Sequence, residues 1–257
     1  MAVHGTEVRQ KALTLLHGGV RNADVARRLN IPAGTIGKWL HEDRAKRGAC
    51  PGKQPPKCPR CDGRPLDDAA YAYLLGLYLG DGWISEHRRG VHFLRIACAD
   101  AWPGLIDACE AAIRAVHPDN SVCRVQNVGY VAVTSSSKHW PCLFPQHGPG
   151  KKHERQIALE PWQQDIVDTH PWDFIRGLIH SDGCRLTNWT TRLVAGKPKR
   201  YEYPRYFFTN VSSDIIRLFT KTLDSVGVEW KQANAKNISV AKKASVALLD
   251  AHVGPKH

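Results

Sequence analysis

Apolar residues at Val8, Ala12, Leu13, Leu15 and Leu16 recur at the three-to-four spacing of one helix face and stop at Gly18-Gly19. Asn22 is placed to cap a second helix carrying Val25, Ala26 and Leu29. Asn30-Ile31-Pro32 breaks the pattern, and Thr35, Ile36, Trp39 and Leu40 resume it as a third helix. Ala26 is small where two helices would cross. Ile31 and Ile36 suit the central contacts of a three-helix unit, and Trp39 closes its core.

The periodicity then fails. Residues 45–66, AKRGACPGKQPPKCPRCDGRPL, are too rich in Pro, Gly and Lys for a helix or an ordinary strand. The expected organisation is therefore a helical domain over 1–45, a linker over 46–67 and two further segments, 68–150 and 151–257.

Those last two segments are copies of one pattern. YLLGLYLGDGWIS (Tyr73 to Ser85) and FIRGLIHSDGCRL (Phe174 to Leu186) each run from an apolar pair through Gly-Leu to Asp-Gly. After Gly82 come the strand Trp83-Ile84-Ser85, a turn around Arg88 to Gly90, the strand Val91 to Ala97 and a helix over Leu105 to Val116. After Gly183 come the strand Arg185 to Arg192, a basic turn at Gly196 to Arg200, the strand Tyr206 to Val211 and a helix over Asp214 to Val226. YVAVTSSSK, ending at Lys138, closes one copy; NISVAKK, ending at Lys242 and Lys243, closes the other. The predicted class is α+β, with two pseudo-symmetric αββαβ-type repeats of antiparallel strands behind a small all-α domain.

Gly76 and Gly80 lie four apart, as do Gly177 and Ser181, so each opening helix carries a face of small residues that lets two backbones approach. The rest of both helices is apolar. Gly82 and Gly183 suit a left-handed helix end. Asp81 and Asp182 are thereby expected side by side at two helix C-termini, where mutual repulsion and the helix dipoles call for a cation. Oxygen donors of this kind suit Mg2+, which can help hydrolyse a phosphodiester. PGLIDACEA (Pro103 to Ala111) lacks the closing Asp-Gly and reads as a packing helix through Leu105 and Ile106.

Composition adds a partner. The chain has 257 residues, 42 % of them apolar, and a formal net charge of +12. That is a folded basic protein, whose charge favours nucleic acid. There is no membrane-length apolar run. Met1 to Arg9 is polar, with no signal-peptide stretch, so the cytoplasm is the expected compartment. Cys58-Pro-Arg-Cys61 has the spacing of half a zinc site, with Cys50 a third ligand; a reduced, metal-free turn is the alternative. His139, Cys142, His147 and His153 could also bind zinc, but their spacing matches no metal motif and reads as a proline-rich loop beside DNA.

ADVARRLNIPAGTIGKWL resembles the helix-turn-helix of bacterial repressors and recombinases. That resemblance implies that Thr35, Gly37 and Lys38 face the major groove, with Arg27 and Arg28 near phosphates. The paired Asp-Gly helices resemble the LAGLIDADG homing-endonuclease family over residues 68–254, although Gly80 and Ser181 replace its usual alanine, and Leu79 and His180 its first aspartate. The resemblance implies a saddle of strands in the major groove, Mg2+ on Asp81 and Asp182, and Lys138 and Lys242 (or Lys243) near the scissile phosphates. Arg185, Thr187, Asn188 and Arg192 on the strands, with Lys197, Lys199 and Arg200 at a hairpin tip, are the expected DNA contacts. The activity implied is Mg2+-dependent cleavage of a specific duplex by a monomer; the alternative is a transcription regulator that keeps the scaffold and does not cut.

Overall fold

A computed structural model describes residues 5–48, 58–254 and 256–257. The chain divides into two compact units, Met1–Pro55 and Pro56–His257. The first holds α1 (Thr6–His17), α2 (Asn22–Leu29) and α3 (Ala33–Lys46). Its core is Ala12, Val25, Ala26, Ile31, Ile36 and Trp39. Asn22 does not cap α2: it lies in the first turn, and Arg21 precedes it with no side-chain cap bond. The sharper stop is at the other end. Asn30 adopts a left-handed φ of 52°. Its N–H donates to Arg27 O at 3.4 Å and that of Ile31 to Ala26 O at 3.0 Å, a Schellman ending that turns the chain into α3.

The second unit begins with α4 (Asp68–Asp81), β1 (Gly82–His87), β2 (Val91–Ala99), α5 (Pro103–Val116), β3 (Val122–Asn127), β4 (Tyr130–Ser137) and the short α6 (Trp140–Leu143). After α7 (Pro161–Thr169), the pattern restarts as α8 (Pro171–Asp182), β5 (Gly183–Val194), β6 (Lys197–Thr209), α9 (Ser213–Ser225), β7 (Lys231–Asn234) and β8 (Asn237–Val240). It closes on α10 (Lys243–His252). The sheets share one topology, β1-β2-β4-β3 and β5-β6-β8-β7. Every pairing is antiparallel.

Each repeat is thus αββαββ, one strand longer than the sequence pattern suggests. The additional strands, β3 and β7, are sheet edges with almost no buried side chain. An edge strand without a buried face shows no apolar alternation. The second hairpin also turns earlier than expected. Ala195 (φ 49°) and Gly196 (φ 72°) form a two-residue turn, so Lys197, Lys199 and Arg200 belong to β6. Leu105 and Ile106 are buried packing residues of α5.

Candidate metal and nucleic-acid site

The site is built by the crossing of α4 and α8. A methyl group added to Gly177 would sit 2.2 Å from Tyr73 O, and one added to Gly76 would sit 2.6 Å from Phe174 O. Backbone therefore touches backbone there. Nearer the tips, a methyl on Gly80 would meet Ser181 Oγ at 2.1 Å and Asp182 Oδ2 at 3.0 Å. The four small residues lie at the crossing, and the helix that ends in Asp81 runs directly beside Asp182. His180 fills the opposite flank, with Tyr73 Oη 3.0 Å from its Nδ1. Burial pushes this imidazole down to about 4, so it is neutral at physiological pH.

Gly82 and Gly183 end their helices for a reason other than the expected left-handed turn. Their φ angles, −94° and −104°, are extended. A Cβ on Gly82 would fall 2.5 Å from Tyr78 Cα and one on Gly183 2.7 Å from Ile179 Cα. Glycine is needed because each strand doubles back against its own helix.

Asp182 is half-buried, and its carboxyl is pushed up to about 6, first by lost hydration and then by the charge of Asp81. Asn210 Nδ2 donates to its Oδ2 at 2.6 Å and opposes the shift, as do Lys152 and Lys256. Asp81 reaches solvent, yet the packing around its base still raises its carboxyl against the pull of the same two lysines. Repulsion between the two carboxylates opposes their double ionisation as a pair.

The cations that act on the pair are ones the sequence pattern did not single out. Lys152 Nζ donates to Tyr78 O (2.5 Å), Gly80 O (2.7 Å) and Gly82 O (2.8 Å), closing the C-terminal end of α4. Burial lowers it to about 8, while Asp182 and Asp81 hold it up. Lys256 Nζ donates to Ser181 O at 3.1 Å and serves α8 in the same way. Lys138 is exposed beyond β4. Lys242 sits at the start of α10 in an exposed ion pair with Glu229. Neither is among the charges that shift the aspartates. A cavity of about 820 Å3 opens beside the tips, lined by Trp83, His147, Lys152, Arg155, Asp182 and Asn210.

Strand register sorts the expected DNA contacts by face. Arg185 pairs with Tyr206 and Gly183 with Phe208; Tyr206 and Phe208 are buried, so this face looks to the core. Arg185 is not a free cation. Its Nε and Nη2 bind Asp250 Oδ1 and Oδ2 at 2.6 and 2.8 Å, tying β5 to α10. Thr187 and Arg200 share that face further out, where Arg200 lies 4.9 Å over the Trp189 ring. The opposite face carries Leu186 with Arg205, Asn188 with Tyr203, and Arg192 with Lys199, and Lys197 lies beside Val194 at its tip. Asn188 Nδ2 contacts Tyr203 Oη at 3.3 Å. In the first sheet the matching outward face bears Trp83 opposite Arg95 and Ser85 opposite Phe93. In the first unit Arg27, Arg28 and Lys38 are exposed and Thr35 half-buried; Arg27 pairs with Asp24, and Lys38 lies 3.9 Å from Glu42.

The cysteine and histidine groups, read separately in the sequence, meet in space. Cys58, Cys61, His139 and Cys142 have one ligand atom each within 4.8 Å of all the others. Cys50, the third ligand expected from the sequence, lies outside the described residues. His147 lies instead beside the helix tips, and His153 lies 3.8 Å from Glu154.

The sequence matches no protein-family model and no curated protein. Among solved structures, this chain is similar to the LAGLIDADG meganuclease I-AabMI bound to uncleaved DNA, with a TM-score of 0.46 at 10% identity over 71% of this chain and 82% of that one. It is similar to I-DmoI in complex with DNA and Mn at 0.45, with 14% identity over 74% and 98%. The N-terminal LAGLIDADG domain of DUF199/WhiA gives 0.43, with 11% identity over 74% and 83%.

Proposed function

We propose that the protein binds duplex DNA and hydrolyses its phosphodiester bonds with Mg2+ held by Asp81 and Asp182. One observation carries the reading: two carboxylates stand together at the tips of helices in backbone contact, both raised by lost hydration, and among the described residues the cations that act against this rise are Lys152 and Lys256. The donor set fits a hard divalent ion. Both groups offer oxygen, and Asn210 engages one oxygen of Asp182, leaving the other available. When bound, such an ion offsets the paired negative charges and polarises a phosphodiester. Asn210 fixes the orientation of Asp182. Lys152 and Lys256 hold positive charge at the helix ends, where a phosphate would otherwise meet bare carbonyl oxygens.

The exposed strand faces supply the groove surface. Arg192, Lys197 and Lys199 on the outward face of the second sheet, with Arg95 on the first, would meet phosphates, and Asn188 is placed to read a base edge. The three-helix unit adds a second contact through Thr35 and Lys38, with Arg27 and Arg28 near phosphates. Its presence also favours a second reading, a regulator that binds and does not cut.

Selection of bound sites from random duplex DNA, followed by incubation with and without Mg2+, separates these readings. Wild type is expected to cut the selected site only with Mg2+, and Asp81→Asn to bind it uncut. Binding without cutting by both proteins would establish the regulator. Failure to enrich any duplex would remove both.

A further inference from the structure

We infer that Cys58, Cys61, His139 and Cys142 form a tetrahedral Zn2+ site that pins the start of the second unit to its first repeat. Neither half is a site alone. Cys58 and Cys61 lie on a tight turn in which Asp62 N–H donates to Cys58 O at 3.0 Å and Cys61 N–H points at Cys58 Sγ at 3.5 Å. An amide aimed at sulfur suits a thiolate. His139 is the N-cap residue of α6 and Cys142 lies within it, and the Trp140 and Leu143 of the same helix are fully buried. Trp140 Nε1 donates to Ser135 O at 3.0 Å, and Leu143 O accepts from Tyr71 Oη at 2.5 Å, so this half is held rigidly by the core.

The distances fit the ion. Thiolates at about 2.3 Å from a tetrahedral zinc stand roughly 3.8 Å apart. Cys61 Sγ and Cys142 Sγ are 3.4 Å apart, and Cys142 Sγ lies 3.9 Å from His139 Nδ1. Three thiolates and an imidazole are soft and borderline ligands, which suit zinc and not the Mg2+ proposed for the aspartates. The four ligands occupy every position of a tetrahedron, so the site is structural. Its effect is local. Residues 58–67 have no helix or strand of their own, and the ion would anchor them to α6.

The test uses the full chain without DNA, so it is independent of the nuclease reading. Elemental analysis of the purified protein is expected to give about one zinc per chain. Exchange for Co2+ should produce the visible absorption and thiolate charge-transfer bands of a tetrahedral sulfur-rich site. Cys142→Ser and Cys61→Ser should each weaken zinc binding by more than about 100-fold, while Cys123→Ser, in β3, leaves it intact. Cys61 is exposed, so its variant reports on the metal even if Cys142→Ser does not fold. Chelation of the wild type should open a protease cut within residues 58–66 while the circular dichroism of the repeats persists. A wild type that takes up no zinc, an unchanged affinity in both variants, or a Cys61–Cys142 disulfide in the intact mass would each overturn the inference.

Discussion

Replacing Asp182 by Asn should make the metal-free protein more stable at pH 8 while abolishing its response to Mg2+. The folded carboxyl ionises at about 6, against 3.8 in its ordinary state. A raised carboxyl leaves the folded state free of penalty below the unfolded value. The cost grows between those two pH values and is complete above the upper one. Converted directly, the shift is worth about 3 kcal/mol. The group is half-buried and partly screened, so about 1–2 kcal/mol is the expected relief. Asn keeps an oxygen for the Asn210 amide, so the local hydrogen bond survives. For a unit of this size the gain is roughly 2–8 °C in Tm. Scanning calorimetry at pH 8 and at pH 4, with and without Mg2+, is the assay. The variant should melt higher than wild type at pH 8, and most of that difference should vanish at pH 4. Saturating Mg2+, at about 100 times its Kd, should add about 2.7 kcal/mol to the wild type alone. A variant that melts lower at pH 8, or by the same difference at both pH values, would refute the account of this carboxylate.

Other consequences follow from the same geometry. Gly177→Ala should destabilise by about 2–3 kcal/mol despite the better helix propensity of Ala, because its methyl meets backbone oxygen; Gly34→Ala in α3, where a methyl meets nothing within 4 Å, should be neutral or gain up to about 1 kcal/mol. Thermal denaturation of both reads the opposite signs. Lys152→Met should cost about 2–4 kcal/mol in urea denaturation, since two carbonyls of α4 and that of Gly82, which follows it, lose their donor. Arg192→Ala should reduce the salt dependence of DNA binding by about one unit of slope with Tm unchanged; Arg185→Ala should leave the slope and cost about 1 kcal/mol of stability, as its partner is Asp250.

The parts legible in the sequence were those fixed by local pattern. Helix faces of small residues and the Asp-Gly endings mark α4 and α8 because close packing demands those residues wherever the partner helix lies. The buried stretches of β4 and β8, and the inward-facing Leu94, Ile96, Tyr206 and Phe208 of β2 and β6, show as apolar positions for the same reason. The edges β3 and β7 leave no such trace. Gly82 and Gly183 were recognised as required, but for a left-handed φ that neither adopts; only the fold shows each strand returning against Tyr78 or Ile179. Lys152 and Lys256 were invisible because a lysine becomes a helix cap only when the tertiary fold brings it to the carbonyls. Lys138 and Lys242, chosen for their place after a strand, face solvent or Glu229 instead. The metal ligands were missed as a set because Cys61 and Cys142 are 81 positions apart in the chain, and each half alone has too few donors.

Charge at the helix tips connects the packing to the chemistry. Two helix C-termini contribute about −0.5 each and two ionised carboxylates −2, while two protonated lysines return +2, leaving about −1. A phosphodiester approaching that point is repelled. A divalent cation turns the balance to about +1, which one phosphate neutralises. The glycines that let the helices touch thus create a negative focus, which under the proposed reading a bound metal offsets where DNA approaches. Removing one acid should imitate part of this effect. Asp81→Asn brings the tips to about neutral, and relief of a unit repulsion of about 1 kcal/mol is a roughly fivefold change in affinity. Without divalent ions, the variant should therefore bind duplex DNA about fivefold more tightly than wild type; with Mg2+ the advantage should vanish or reverse. Fluorescence anisotropy in EDTA and in Mg2+ measures both. Equal affinities in EDTA would mean that DNA does not approach the tips of α4 and α8.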